Sequence, residues 1–140
     1  SDWLPVIFPV HPRTLKNLAA FGILDKYSRK KGLILEEALG YLDFQKLMKE
    51  SKLLITDSGG IQEETTVLDI PCITLRENTE RPVTVELGTN ELAGHDMGLL
   101  LSYARKAIEG NWKKGSVPPL WDGKTSERAV RAICDMFIKG

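Results

Sequence analysis

The stretch "LLITDSGGIQEETTVLDIP", residues 53–71, passes from apolar residues through a serine and two glycines into a segment holding two adjacent glutamates. Leu53, Leu54, Ile55 and Thr56 read as a short buried strand, and the residues from Gly60 to Leu68 as a helix. A strand that turns straight into a helix is the first half of a βα unit. The next apolar run, "PCITLR" (71–76), supplies the second strand.

The same alternation extends in both directions. Strands are expected over residues 4–10, 33–36, 52–57, 71–76 and 90–93, and helices over 12–24, 41–51, 60–68, 82–87, 97–109 and 126–138. Pro12 suits a first helical position. Residues 111–123, rich in Trp, Gly and Pro, read as a loop. Short apolar strands separated by helices predict an α/β fold with a doubly wound parallel sheet, covered by helices on both faces. Ligands of such sheets sit beyond the carboxyl ends of the strands, which directs attention to the loops after Val10, Glu36, Thr56, Leu75 and Ala93.

With 140 residues the chain is expected to form one domain, residues 1–140. Nineteen basic residues balance nineteen acidic ones, so no net field favours a nucleic-acid partner, and an anionic ligand must be held locally. No apolar run approaches the ~18 residues of a membrane span, and residues 1–5 lack the features of a signal peptide, so a cytoplasmic location is expected. The chain opens without methionine just ahead of a strand, which reads as a cut within a longer protein. Cys72 and Cys134 lie in apolar segments without redox or zinc spacing and read as small buried hydrophobes; no metal or cofactor is implied.

The 57–60 loop, Asp57, Ser58, Gly59 and Gly60, allows two readings. Free backbone N–H groups and the positive end of a helix favour an anion, which two glycines would let approach closely. Equally, Ser58 could cap the helix and the glycines form a turn. The pattern is neither a Walker motif nor G-x-G-x-x-G. Glu63 and Glu64 fall about 100° apart on a helix, so one of them at most faces a ligand, where a carboxylate can hold a ribose. Arg76 and Arg81 follow the next strand; their planar forks suit a diphosphate, or they are solvated loop charges. Phe44 is either core, beside Leu47 and Met48, or a platform for a base. His11 and Arg13 end the first strand at the same edge, where a histidine beside proline is more often structural.

Taken in order, "PVHPRT" (9–14), "YLDF" (41–44), "TDSGGIQEE" (56–64), Pro71, "LRENTERP" (75–82), "GTNELAG" (88–94) and "WDGKTSERAV" (121–130) resemble the UDP-N-acetylglucosamine 2-epimerase family. The resemblance implies the carboxyl-terminal of two Rossmann-like domains in a fold of the glycosyltransferase-B type. It places Ser58, Gly59 and Gly60 at the diphosphate of UDP, Glu64 on the ribose, Arg81 near the phosphates and Phe44 beside uracil, with His11 and Arg13 as further candidates. Family enzymes interconvert UDP-GlcNAc and UDP-ManNAc by eliminating and re-adding UDP. Their proton-transfer carboxylates and a histidine motif belong to the amino-terminal domain, so the resemblance implies no proton-transfer residue in this segment, with Arg81 supporting the departing UDP. A homodimer is implied for the full-length protein, and the final helix, 124–140, is expected to pack toward the amino-terminal domain.

Three departures from the usual family pattern stand out: Ala38 before "YLDF" where proline is common, Thr65 for alanine, and "LDIP" for "LGxP", the last two read as packing changes. Rival readings are a hydrolysing 2-epimerase, the donor domain of a related glycosyltransferase, or a flavodoxin-like module. Retaining glycosyltransferases often carry two glutamates eight positions apart, a spacing that no pair shows here. A receiver module would want acidic residues in the first loop, which instead holds His11, Pro12 and Arg13.

Overall fold

The alternation read from the sequence is realised in a computed structural model that describes residues 4–27 and 30–138. The chain divides into two compact units, one up to Leu47 and one from Met48 onward.

In the first unit, β1 (Val6–Val10) pairs in parallel with β2 (Leu33–Glu37), in the register Val6 to Leu33 through Val10 to Glu37. Between them lie α1 (Pro12–Ala20) and α2 (Ile23–Tyr27). The sequence suggested a single helix over 12–24; the structure breaks it because Gly22 takes φ 65, a left-handed conformation that ends helices and that glycine adopts without a Cβ penalty. Helix α3 (Tyr41–Lys49) begins in this unit and ends in the next.

In the second unit, β3 (Leu54–Thr56), β4 (Cys72–Thr74) and β5 (Asn90–Leu92) form a parallel sheet in sequence order. Helix α4 (Gly59–Leu68) joins β3 to β4, and α5 (Pro82–Glu86) joins β4 to β5. Then come α6 (Met97–Ile108), capped by Asp96 Oδ1 accepting the Leu99 N–H at 2.9 Å, and α7 (Thr125–Ile138). The last two residues of the 124–140 segment lie outside the described residues, as do residues 1–3 of the segment read for a signal peptide. The α/β class and the parallel pairing follow the expected alternation, while the ladders among the described residues are two, β1–β2 and β3–β4–β5.

The core of the second unit is unusually polar. Ile73 and Cys72 are fully buried, but so are Gln62, Thr65, Thr74, Thr84 and Asn90. Such groups are tolerated inside because they find hydrogen bonds. Thr65 and Thr66 donate to the carbonyls of Ile61 and Gln62, both at 2.8 Å, so α4 satisfies the hydroxyls on its own inner face. At the end of α4, Asp69 takes φ 55, the left-handed position where the "LGxP" pattern has glycine. The Gly-to-Asp departure is therefore a matter of backbone conformation rather than packing, at a site where Asp is among the better-tolerated non-glycine residues. The 111–123 loop is pinned to α5 and to the turn before β5: Trp112 Nε1 donates to Thr89 O at 2.8 Å, and Lys113 Nζ to Val85 O at 2.6 Å. No residue of α7 is buried, and Val130, Ile133, Met136 and Phe137 are all exposed.

Candidate functional site

Strand β3 ends at Thr56, and the chain needs two residues to start α4 at Gly59. Ser58 holds the N-cap position with extended backbone angles, φ −85 and ψ 129, yet its hydroxyl makes no capping bond. Its own N–H instead donates to Thr56 Oγ1 at 3.0 Å. The capping role considered for this serine is thus not taken up, and Ser58 is exposed at the mouth of the helix.

The two glycines that follow are not required by the fold. A Cβ on Gly59 would meet nothing within 4 Å, one on Gly60 only Ser58 Oγ at 4.0 Å, and neither residue has a positive φ. Elsewhere in the same unit the chain does need glycine. A Cβ on Gly88 would collide with Thr66 Oγ1 and lie 2.6 Å from Thr84 O, and Gly115 would press on Thr89 at 2.7 Å. Open space over two glycines at the start of a ten-residue helix is what a close-approaching anion requires.

Because α4 begins at Gly59, Glu63 and Glu64 fall past the first turn, and the helix dipole does not explain them. They separate as helical geometry demands. Glu63 Oε1 accepts from Arg81 Nε at 2.8 Å, while Glu64 is half-buried. Arg81 is the N-cap residue of α5, and its backbone is held at both ends: its N–H donates to Thr79 Oγ1 at 3.0 Å, and its carbonyl accepts from the Thr84 hydroxyl at 2.8 Å. Ser58, Gly59, Gly60, Glu64 and Arg81 therefore sit on one unit, with α4 carrying three of them, Ser58 at its N-cap, and a salt bridge from that helix holding the fifth. Arg76 is exposed in the same loop as Arg81.

The remaining candidates lie on the first unit. His11 is the N-cap of α1, its Nδ1 accepting the Arg13 N–H at 3.2 Å, so the structural role favoured for a histidine at this place is taken up. That nitrogen is an acceptor, which assigns the proton of the neutral ring to Nε2. Arg13 is exposed, and Phe44 is half-buried on α3. Among the described residues no group of three or more His, Cys, Asp or Glu could hold a metal ion, and no helix is long and apolar enough to cross a membrane.

Two features escaped the reading of the sequence: the pairing of Glu63 with Arg81, and the buried polar side chains of Gln62 and Asn90. For the second a signal existed, since Gln62, Thr65 and Thr66 recur at helical spacing as a polar stripe where apolar residues would ordinarily face the sheet.

A sequence profile described as UDP-N-acetylglucosamine 2-epimerase matches residues 1–134. A UDP-N-acetylglucosamine 2-epimerase of Methanocaldococcus jannaschii is 46% identical over 134 residues, covering 91% of this chain and 34% of that protein. One from Methanococcus maripaludis is 42% identical over 130 residues, again 91% of this chain and 34% of the relative. Among solved structures, the M. jannaschii UDP-GlcNAc 2-epimerase in complex with UDP-GlcNAc and UDP superposes with a TM-score of 0.79 at 44% identity, over 93% of this chain and 35% of that one. A complex of S. aureus MnaA with UDP gives a TM-score of 0.76 at 28% identity, over 98% of this chain and 37% of that one. The chain thus spans about a third of the length of the curated relatives it matches.

Proposed function

The chain belongs to the UDP-N-acetylglucosamine 2-epimerase family, and from that premise we propose that it is the UDP-binding half of a non-hydrolysing enzyme that interconverts UDP-GlcNAc and UDP-ManNAc. The observation that carries the reading is the unfilled space over Gly59 and Gly60 at the start of α4, with Arg81 tied to the same helix through Glu63. Folding explains neither glycine; a diphosphate lying against the backbone explains both.

In this reading the N–H groups that open α4, the Ser58 hydroxyl and the Arg81 guanidinium take the two phosphates, Glu64 takes the ribose and Phe44 the uracil. His11 and Arg13 remain secondary candidates, with His11 acting as the cap that shapes its loop. Elimination of UDP places charge on the β-phosphate as the C–O bond breaks. Donors already fixed in place stabilise that charge without reorganising, and this is the contribution the second unit makes to the rate. Retaining UDP makes its return to the glycal-like intermediate effectively intramolecular. Proton transfer at C2 is assigned to the amino-terminal portion of the full-length enzyme, so the 140-residue chain alone is inactive. The exposed apolar residues of α7 are assigned to contact with that same portion. The full-length protein is a cytoplasmic homodimer in this account.

The test is product analysis on the full-length polypeptide incubated with UDP-GlcNAc. Formation of UDP-ManNAc supports the proposal; release of free ManNAc and UDP would make it a hydrolysing enzyme, and transfer of the sugar to an acceptor would make it a glycosyltransferase. Turnover by the 140-residue chain would refute the assignment of proton transfer elsewhere.

A further inference from the structure

The buried side chain of Gln62 poses a problem that the UDP site does not solve. It is completely buried, and its amide nitrogen, Nε2, has no hydrogen-bond partner. Stranding a donor inside a protein is costly, and methionine would fill a similar volume without doing so. What glutamine supplies and methionine does not is the oxygen. Oε1 accepts two bonds, from the Thr79 hydroxyl at 2.6 Å and from Asn90 Nδ2 at 3.2 Å.

Followed outward, those bonds close a ring. The Arg81 N–H donates to Thr79 Oγ1, and that hydroxyl donates to Gln62 Oε1. Asn90 Nδ2 donates to the same oxygen and, at 3.2 Å, to Thr84 Oγ1; the Thr84 hydroxyl then donates to the Arg81 carbonyl at 2.8 Å. The orientation of Asn90 is not arbitrary, because the Thr84 hydroxyl spends its one proton on the Arg81 carbonyl and can only accept from Asn90, which puts the amide nitrogen toward the ring and leaves Oδ1 for Thr74 Oγ1 at 2.7 Å. Every donor in the ring meets an acceptor, so only one arrangement of the protons satisfies it. The ring starts and ends on the backbone of one residue, Arg81, and passes through the helix that carries Gly59 and Gly60.

We propose that Thr79, Gln62 and Asn90 are positioning residues that set the backbone of Arg81 against the N-terminal turn of α4 and so tune the grip on the diphosphate; the inference rests on the UDP-binding reading above. None of the three touches the ligand. Glu63, the next residue along α4, aims the guanidinium, and the ring fixes the peptide groups from which that side chain springs. Two consecutive residues on one helix thus hold one arginine, by its side chain and by its main chain.

The test is a double-mutant cycle on the full polypeptide, reading UDP affinity by calorimetry. Thr79→Val keeps the shape and removes the hydroxyl, and it is expected to weaken UDP binding about tenfold, while Thr79→Ser, which restores the hydroxyl, stays within about twofold of wild type. Arg81→Met weakens binding by itself, and adding Thr79→Val to it produces no further loss, because the side chain through which the ring acts is gone. Gln62→Met is read by the same cycle and is expected to behave as Thr79→Val does. If wild type binds UDP and Arg81→Met weakens it, but Thr79→Val and Gln62→Met leave affinity unchanged or give losses that add fully in the Arg81→Met background, the positioning role is wrong and the UDP reading stands. If wild type does not bind UDP, the functional reading fails and this inference fails with it.

Discussion

Arg81 Nε and Glu63 Oε1 lie 2.8 Å apart, joining the loop that follows β4 to the second turn of α4. The two side chains are 44% and 39% exposed, so solvent screens the pair and its contribution to stability is about 0.2–1 kcal/mol at most. Its consequence is direction, since it holds the Arg81 guanidinium against the second turn of α4. Glu63→Gln is therefore expected to leave the melting temperature nearly unchanged while weakening UDP about two- to fivefold, and Arg81→Met to weaken it by more than tenfold. Calorimetric titration of the two variants checks the order of the effects. Equal affinities for wild type and both variants would remove Arg81 from the site.

Gly59 and Gly60 offer a cleaner separation of folding from binding. Both sit in the first turn of a helix with open space where a Cβ would go, so alanine fits without strain. By restricting the unfolded chain, each Gly→Ala change is expected to raise stability by about 0.4–1 kcal/mol. The same methyl occupies the approach to the backbone, so UDP affinity falls at least tenfold. Denaturant unfolding measured beside UDP titration tests both halves, and a stabilised variant that still binds UDP normally would contradict the assignment.

Gly88 is the counter-case. A Cβ there would run into the Thr66 side chain and the Thr84 carbonyl, backbone that cannot swing aside. Gly88→Ala is expected to cost about 1–3 kcal/mol, as overpacking of a filled core does. Chemical denaturation checks it, and an unchanged midpoint would mean that Gly88 packs less tightly against α4 and α5 than described.

The two cysteines should react differently. Burial pushes the Cys72 thiol above its ordinary value of 9.0, an effect that hydrogen bonds with Thr65 and Thr74 only partly offset. A folded-state pKa above the unfolded one means that the thiol's contribution to stability is full below pH 9.0 and is lost as the pH rises past it. Cys134, expected from its apolar segment to be buried like Cys72, is instead exposed, because no residue of α7 is buried. Iodoacetamide at neutral pH is expected to label Cys134 readily and Cys72 only on unfolding, as residue-level mass spectrometry would show. Rapid native labelling of Cys72 would contradict its burial.

Much of this was legible in the sequence because the relevant signals are local. Short apolar runs mark β1 to β4, β5 (Asn90–Leu92) follows only from the alternation of elements, and the turn from Thr56 through Gly60 marks the start of α4 to within one residue. The break at Gly22 was not read because "AAFG" continues an acceptable helical pattern, and only the left-handed φ ends it. The partners of Glu63 and Gln62 were hidden for another reason. Arg81 lies eighteen positions from Glu63, and Asn90 twenty-eight from Gln62, so their meeting depends on how the βα units stack rather than on spacing along the chain. Helical spacing lets at most one of Glu63 and Glu64 face a ligand; the structure pairs Glu63 with Arg81.

The most direct test of the central claim is the amide spectrum of the isotope-labelled polypeptide titrated with UDP. UDP is expected to shift the backbone N–H signals of Ser58, Gly59 and Gly60, and to do so far more than ADP or phosphate at equal concentration. Saturating UDP that leaves those three signals in place, whether it binds elsewhere or not at all, would contradict that claim.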